Sequence, residues 1–217
     1  MAQAPIEARK RKERSEAVLR AEGVPINPHL PVIEIEAESR RRTREEIAVR
    51  ALALLVVAVK GEGLEQEIVE EIVTAYGLAP SLTPNERAFV QNRSPSKHDR
   101  AQFSWRYEAA WTLLWALGYV ETLGKPAVIC DVVRAVRLMK VRTRQQFIDQ
   151  ARLRPMSEIL DQADLIYRYD WAVVDARLKG QPPPAQLDPG VTMERHYALN
   201  WLIGYQDQDW DDISTDT

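Results

Sequence analysis

Apolar and polar residues alternate with the period of an α-helix over most of the chain. Residues 48–59 are almost entirely apolar, and residues 100–117 are apolar on most sides and rich in tryptophan. Residues 157–179 carry large apolar side chains that recur every three or four positions. A helix that is apolar on most sides is buried on most sides. We therefore predict that these three helices form the core and that thinner amphipathic helices surround them.

The ends of the predicted helices are marked by capping residues and glycines. Capping boxes, in which a threonine is followed three residues later by glutamate or glutamine, begin at Thr43, Thr83 and Thr143. Glycine adopts the left-handed conformation that ends many helices, and seven glycines follow apolar segments: Gly23, Gly61, Gly77, Gly118, Gly124, Gly180 and Gly204. These signals predict about nine helices, near residues 5–22, 43–60, 64–76, 84–92, 100–117, 128–139, 144–152, 157–179 and 191–204. Residues 32–36 alternate weakly, and we expect an extended linker there because an isolated strand would have no partner.

Length and composition indicate a single all-α domain. The chain has 217 residues, of which 45% are hydrophobic and 28% are charged, as is usual for a globular protein. At about 150 residues per domain, this length predicts one domain. We expect a single helical domain over residues 16–217 and a frayed N-terminal extension over residues 1–15. The longest apolar run, residues 51–59, is far shorter than the roughly 20 residues of a membrane span, so we expect a cytoplasmic protein without a membrane segment.

The charge balance argues against nucleic acid as the main partner. The chain has 29 Lys and Arg residues and 32 Asp and Glu residues, which gives a net charge of −3, so no global field attracts phosphates. Basic runs occur at residues 9–12 and 40–42, but two glutamates follow closely after the second run. Nucleic-acid binding through these runs is the least favoured of three functional hypotheses.

Several common catalytic and cofactor sites lack their signatures in this sequence. There is no glycine-rich phosphate loop, no Gly-x-Ser-x-Gly nucleophile motif and no His-Glu-x-x-His helix. The single cysteine, Cys130, excludes an internal disulfide and a cysteine-rich zinc site, and we expect its thiol to be buried. We predict neither a cofactor nor a metal, and we favour a binding protein over an enzyme.

Charged residues interrupt the predicted core helices, and some of them must be buried. A buried charge without a partner is costly, so these residues are expected to pair. We predict an interhelix polar network drawn from Arg106, Glu108, Arg154, Asp164, Arg168, Glu194, Arg195, His196 and Asn200. A histidine backed by an acid could act as a general base, or His196 could simply bond a backbone carbonyl in the core. The network either fixes helix register or lines a pocket for an anionic or zwitterionic ligand.

Tryptophans are predicted to lie in the core, and one of them organises an acidic segment. Five of the six, at positions 105, 111, 115, 171 and 201, stand at helical spacing. The sixth, Trp210, lies among aspartates at positions 207, 209, 211 and 212. These acids resemble the start of a calcium loop, but Asp212 stands where that loop needs glycine. We predict that Trp210 docks this segment on the domain, with its acids facing basic residues.

Several short motifs follow one another along most of the chain. They are Phe103–Glu108 with Leu114–Gly118, Leu153–Pro155 with Glu158–Leu160, Asp164 and Leu165 with Tyr167 and Arg168, Glu194–Trp201, and Trp210–Asp212 with Thr215–Thr217. Together they resemble a widespread, mainly bacterial family, domain-of-unknown-function family 4272. The resemblance extends from about Arg14 to the end of the sequence. It implies a single helical domain that includes the acidic segment, and it implies no established activity.

These observations favour an interaction protein. Because no catalytic spacing stands out and charged runs occur at both ends of the sequence, we predict a non-catalytic module that binds another protein as an accessory or protective partner. The alternative is an enzyme or small-molecule binder that uses the polar residues around Arg106 and His196. The second alternative is nucleic-acid binding through the basic runs.

Overall fold

The fold is built from helices. The computed structural model describes residues 4–217, and over this range it has ten α-helices and no β-strand. They are α1 (Ile6–Glu22), α2 (Arg44–Glu62), α3 (Gln66–Ala75), α4 (Pro84–Gln91), α5 (Lys97–Ser104), α6 (Arg106–Ala116), α7 (Val132–Lys140), α8 (Arg144–Asp149), α9 (Met156–Leu178) and α10 (Pro189–Ile203). Short 3-10 helices lie at residues 79–81, 184–186, 205–207 and 210–212. The predicted all-α fold is confirmed, although the helix expected over residues 100–117 is divided at Trp105 into α5 and α6.

Two groups of long helices make up the centre of the protein. In one group α2 packs against α5 and α6, and in the other α9 packs against α1 and α10. Contacts between α6 and α10 join the two groups, while α3, α4, α7 and α8 pack around α2. The sequence indicates three central helices, α2, α6 and α9. Helix α10 is a fourth, because several of its polar side chains are buried instead of facing water.

Helix α2 is buried along most of its length. It begins at the capping box of Thr43, and residues 50–61 are all buried. Gly61 was expected to end this helix, but it lies inside it, and Gly63 with a φ of 105° is the residue at which α2 ends. A Cβ atom at Gly61 would stand 2.7 Å from the backbone nitrogen of Ser104. Glycine at this position therefore permits the close contact between α2 and α5.

Helix α1 occupies most of the expected frayed extension. Residues 1–3 lie outside the described part of the chain, but the backbone is helical from Ile6 and packs on α9. The buried face consists of Ala8, Arg11, Ser15 and Leu19, which recur every three or four positions. Because two members of this face are polar, the composition of the segment resembles that of a solvated extension. The structure differs from the expectation because Arg11 is buried in contact with Asp161 of α9.

The position of Trp105 corrects a prediction. Four tryptophans are buried, at 111, 115, 201 and 210, whereas Trp105 is 37% exposed. It lies at the break between α5 and α6, and its ring packs against Gly190 of α10, where a Cβ atom would stand 2.5 Å from the ring. Because Trp105 lies at the junction of α5 and α6, its ring packs on Gly190 and stays partly exposed.

Trp210 holds the segment after α10 on the domain. Its ring makes edge contacts with Tyr197 and Trp201, at centroid distances of 5.1 and 5.3 Å. The guanidinium of Arg50 lies 5.1 Å from the Trp210 ring centroid. Of its aspartates, Asp207 lies 3.8 Å from Arg40, whereas the Asp211 carboxylate accepts from the backbone N–H of Asn85 in the first turn of α4.

Candidate functional site

Two ion pairs between residues of the predicted network join α6 to α10. Nη1 of Arg106 donates to both carboxylate oxygens of Glu194, at 3.0 and 3.1 Å. Nε of Arg195 lies 3.5 Å from Oε2 of Glu108, and its Nη1 donates to two carbonyls of the loop after α6. Burial raises the pKa of Glu194, and Arg106 opposes this shift. Burial also lowers the pKa of Arg195, against the effect of Glu108.

Three other predicted residues hold loops against the helices. Within α9, Arg168 donates to Asp164, and its Nη2 also donates to the carbonyl of Pro31 in the linker before α2. Arg154 pairs with Glu158 and donates to three carbonyls at and after the end of α6. These contacts fix the position of connecting segments.

His196 is bonded to an acid that the sequence did not single out as a site residue. Its Nδ1 lies 2.8 Å from Oδ2 of Asp170 on α9, and both side chains are buried. No spacing along the chain pairs these residues, because they lie on different helices. His196 and Asn200 line a cavity of about 250 Å³ together with Tyr167, and Asn200 donates to the carbonyl of Ser214. An acid that orients a histidine leaves the second ring nitrogen for proton transfer or ligand binding.

The nine predicted residues do not meet in one place. Arg106 lines a cavity of about 470 Å³, Glu108 lines a cleft of about 180 Å³, and His196 lines the 250 Å³ cavity. Each ion pair is separate, and most of the pairs bridge neighbouring helices or hold a loop. Whether any of them binds a ligand stays a prediction.

Cys130 is buried beside the Glu108–Arg195 pair. Its backbone N–H donates to the Glu108 carboxylate. Burial raises the pKa of the Cys130 thiol, and the nearby Glu108 charge raises it further. The thiol is therefore protonated at neutral pH, which makes it a poor nucleophile.

An exposed apolar surface lies at the start of α7. Val128 and Ile129, in the loop before this helix, are 71% and 63% exposed, and Val133 in its first turn is 79% exposed. Ala135 and Met139 form the buried face of α7. The opposite face carries Val133 and three further exposed residues at one-turn spacing. We call the following set the α7 surface: Val128, Ile129, Val133, Arg137, Lys140 and Val141.

The α7 surface is basic as well as apolar. Residues 132–148 contain five basic residues and no acidic one. Three of the five, Arg134, Arg142 and Arg144, donate to backbone carbonyls. Arg137 and Lys140 make no ion pair with any residue in the described range 4–217. In the sequence, the only signal for this surface is the concentration of positive charge in residues 132–148.

A cleft joins the α7 surface to Trp105. It has a volume of about 180 Å³ and is lined by Trp105, Ile129 and Val132, with Glu108 and Tyr107 also in its lining. Large apolar side chains around a small cleft are typical of sites that receive an anchor residue from a partner.

Part of each basic run is engaged within the fold, while Lys10 and Arg41 are exposed. Arg11 contacts Glu7 and Asp161, and Lys12 donates to the carbonyls of Pro28 and Leu30. Arg42 donates to the carbonyl of Trp201, and its guanidinium lies 3.9 Å from a ring centroid of the same residue. These side chains stabilise helix contacts and do not form one continuous basic face.

A membrane-spanning helix and a metal-binding cluster are both absent from residues 4–217. None of the helices in this range combines the length and apolar character that crossing a bilayer requires. No group of three or more His, Cys, Asp or Glu side chains in the same range is arranged to hold a metal ion.

Comparison with known proteins matches most of the chain to a protein family. The model of a family described as "Domain of unknown function (DUF4272)" matches residues 11–213. No protein with a curated description and no solved structure matches the chain.

Proposed function

The chain belongs to the DUF4272 family, and we propose that it is a non-catalytic module that binds another protein through the α7 surface. The supporting observation is the exposure of Val128, Ile129 and Val133, which lie within six residues of one another and are each more than 60% exposed. Grouped apolar side chains on a surface mark interaction sites more often than single ones do.

The partner is expected to be an acidic segment with apolar anchor residues. Arg137 and Lys140 lie one and two turns along α7 from Val133, so carboxylates of the partner would reach them while an apolar side chain covers Val133. The cleft between Trp105 and Ile129 would take a second anchor. Charged residues around an apolar centre speed association and select the partner, while the buried anchors supply most of the affinity.

Substitution of Val133 tests the apolar part of the proposal. The tagged protein would be purified gently from its native host, and co-purifying proteins identified by mass spectrometry. Val133→Glu should remove a stoichiometric partner, because it places a charge at the centre of the interface. Leu178→Glu is the matched control, since Leu178 at the end of α9 is also 79% exposed and lies outside the α7 surface.

Charge reversal tests the electrostatic part. Arg137→Glu should weaken binding of the purified partner at least tenfold, whereas Arg177→Glu, an exposed arginine of α9, should leave it unchanged. Cross-linking should place a net acidic segment of the partner next to α7. A partner that survives both α7 substitutions, a basic contact segment, or self-association that Val133→Glu abolishes would each contradict the proposal.

A cytoplasmic location is part of the same proposal. It is supported by the lone, buried Cys130 thiol, which forms no disulfide, and extracellular domains use disulfides more often. Fractionation of the native host, with the protein detected by antibody, tests it, and recovery in a secreted or periplasmic fraction would refute it.

A small-molecule site is the second candidate, and the Asp170–His196 pair is the observation that favours it. His196, held by Asp170, lines the 250 Å³ cavity, where Tyr167 supplies a further polar group. Ligand screening by NMR, following the assigned side-chain signals of His196, tests this candidate. The matched control is His29, an exposed loop histidine, whose signals should not respond.

A further inference from the structure

A cavity to which no role has been assigned above lies between α4 and α5, beside Arg106. It has a volume of about 470 Å³, and α10 and the segment after it close its far side. The lining residues that matter here are Glu86, Asp99, Arg106, Tyr197, Trp210 and Asp211. The volume falls in the range of small-molecule sites, about 300–1,000 Å³. This cavity is separate from the α7 surface, so the inference below does not depend on the proposed function.

The cavity carries an excess of negative charge. Glu86 is paired with Arg50, whose Nη2 lies 2.5 Å from its Oε2, and Arg106 is paired with Glu194. These two pairs cancel in charge. Asp99 and Asp211 form no ion pair within the described part of the chain, and each uses one carboxylate oxygen to accept hydrogen bonds near the start of a helix. Two uncompensated carboxylates favour a cationic ligand.

Two buried polar atoms on lining residues have no protein partner. They are Oε1 of Glu86 and Nε1 of Trp210, and both side chains are more than nine-tenths buried. A buried polar atom is normally hydrogen-bonded, and each exception calls for an explanation such as a missing ligand or water. One of these atoms accepts and the other donates, and both lie within the wall of the cavity, where the protein leaves them unpaired.

Arg106 also has unused donors. Only its Nη1 contacts Glu194, and its Nε and Nη2 donate to no residue in the range 4–217. The Glu194 contact and the Tyr197 ring, whose centroid lies 4.8 Å from the guanidinium carbon, hold the side chain at the cavity wall. A guanidinium fixed in this way binds a carboxylate with good geometry.

The aromatic walls suit the aliphatic part of a ligand. Phe103, Tyr197 and Trp210 all line the cavity. The Tyr197 and Trp210 rings already hold the guanidiniums of Arg106 and Arg50, so the rings offer a ligand apolar surface for its aliphatic part.

We propose that this cavity binds a free α-amino acid with a cationic side chain, the class of lysine and arginine. The carboxylate of the ligand lies against the free N–H groups of Arg106. Its two cationic groups lie near Asp99 and Asp211, with the aliphatic chain against the aromatic walls. The net charge of such a ligand, +1 at neutral pH, is opposite in sign to the uncompensated charge of the two carboxylates in the cavity.

Calorimetric titration of the full chain with three compounds of similar carbon skeleton tests the proposal. L-lysine carries both ends, L-norleucine lacks the side-chain cation, and cadaverine lacks the carboxylate. We expect L-lysine or L-arginine to bind with a Kd of about 1 mM or tighter. Norleucine and cadaverine should each bind at least tenfold more weakly.

Substitutions inside and outside the cavity test where the ligand binds. Ala88→Lys places a cation in the cavity from an exposed helix position, and should abolish binding. The matched control is Ala101→Lys, the same exchange at an exposed position of α5 outside the cavity, which should bind like the wild type. Asp211→Asn keeps the hydrogen-bond acceptor but removes the charge, and should weaken binding at least fivefold. Circular dichroism and melting temperature of the unliganded variants confirm that each is folded.

Three results would overturn the proposal. The first is the absence of binding heat and of any melting shift with either basic amino acid at about ten times the stated Kd. The second is equal binding of lysine by wild type and folded Ala88→Lys, which would place the ligand elsewhere. The third is cadaverine binding as tightly as lysine, which would show that the site takes amines and not amino acids.

Discussion

Arg168 and Asp164, both on α9, form an ion pair with two contacts that is buried away from water. Nη2 of Arg168 lies 2.7 Å from Oδ1 of Asp164, and Nε lies 2.9 Å from Oδ2. Both side chains are essentially unexposed. Because the same guanidinium donates to the carbonyl of Pro31, the pair also attaches the linker before α2 to α9.

Removal of one partner from this pair should strongly destabilise the protein. Asp164→Ala leaves a buried guanidinium without its counter-charge, and we expect the free energy of unfolding to fall by about 3–5 kcal/mol. The double variant Asp164→Leu/Arg168→Met removes both charges and should recover much of that loss. Urea denaturation followed by circular dichroism measures both values.

The matched control for this pair lies at the end of the same helix. Asp175 and Lys179 are also four residues apart in the sequence, and Nζ of Lys179 lies 2.7 Å from Oδ2 of Asp175. The Lys179 side chain, however, is largely exposed. Lys179→Ala should therefore change stability by less than about 1 kcal/mol. Equal losses for Asp164→Ala and Lys179→Ala would contradict the argument from burial.

Gly61→Ala should destabilise the protein although alanine favours helices. The exchange gains about 1 kcal/mol in helix propensity. The new Cβ would stand 2.7 Å from the Ser104 nitrogen and 2.9 Å from the Arg100 carbonyl oxygen, and such overpacking costs about 1–3 kcal/mol. Because both neighbours are backbone atoms, we expect a net loss, seen as a lower melting temperature. An unchanged or higher melting temperature would show that α2 and α5 separate easily.

The buried Glu194 carboxylate should make stability depend on pH. Burial raises its pKa above the ordinary value of 4.5, against the opposing effect of Arg106. The folded protein then holds this proton to higher pH than the unfolded chain does, so ionisation of Glu194 weakens the fold as the pH rises from about 4.5 towards the raised pKa.

Glu194→Gln isolates this effect, because glutamine keeps an acceptor for Arg106 and does not titrate. Denaturation curves of wild type and variant at pH 4 to 8 should show the wild type losing stability relative to the variant as the pH rises. A constant difference across this range would mean that the Glu194 pKa is the same in both states.

Cys130 should resist thiol reagents until the protein unfolds. The side chain is buried, and the raised pKa leaves little thiolate at neutral pH. We expect the reaction with Ellman's reagent to be at least about 100-fold slower in buffer than in denaturant, because the thiolate is the reactive form. Full modification of the folded protein within seconds would refute the burial of this thiol.

Local signals in the sequence predicted the helices well. The capping boxes at Thr43, Thr83 and Thr143 all form, since both partners of a box lie within four residues. The start of α5 was missed because its box at Ser96 uses Asp99, a shorter acid than the expected glutamate or glutamine. Single-helix signals of this kind need no knowledge of the tertiary fold.

The candidate sites were harder to predict, because their residues come from different elements. Asp170 and His196 meet only when α9 and α10 pack together. The exposed Val128 and Ile129 were assigned to a helix, but Asp131 caps α7 at Val132 and leaves them in the preceding loop. Exposure depends on the neighbouring elements, so the apolar pattern alone assigns such residues to the core.

The break at Trp105 gives the protein a built-in optical reporter. Trp105 is the most exposed of the six tryptophans, and its ring borders the cleft beside Ile129. Its fluorescence is therefore the component that dissolved quenchers such as acrylamide reach first. An occupant of the cleft would shield this emission and move it to shorter wavelength, and Trp105→Phe would remove the response. Engagement of this face can thus be followed in the unlabelled protein.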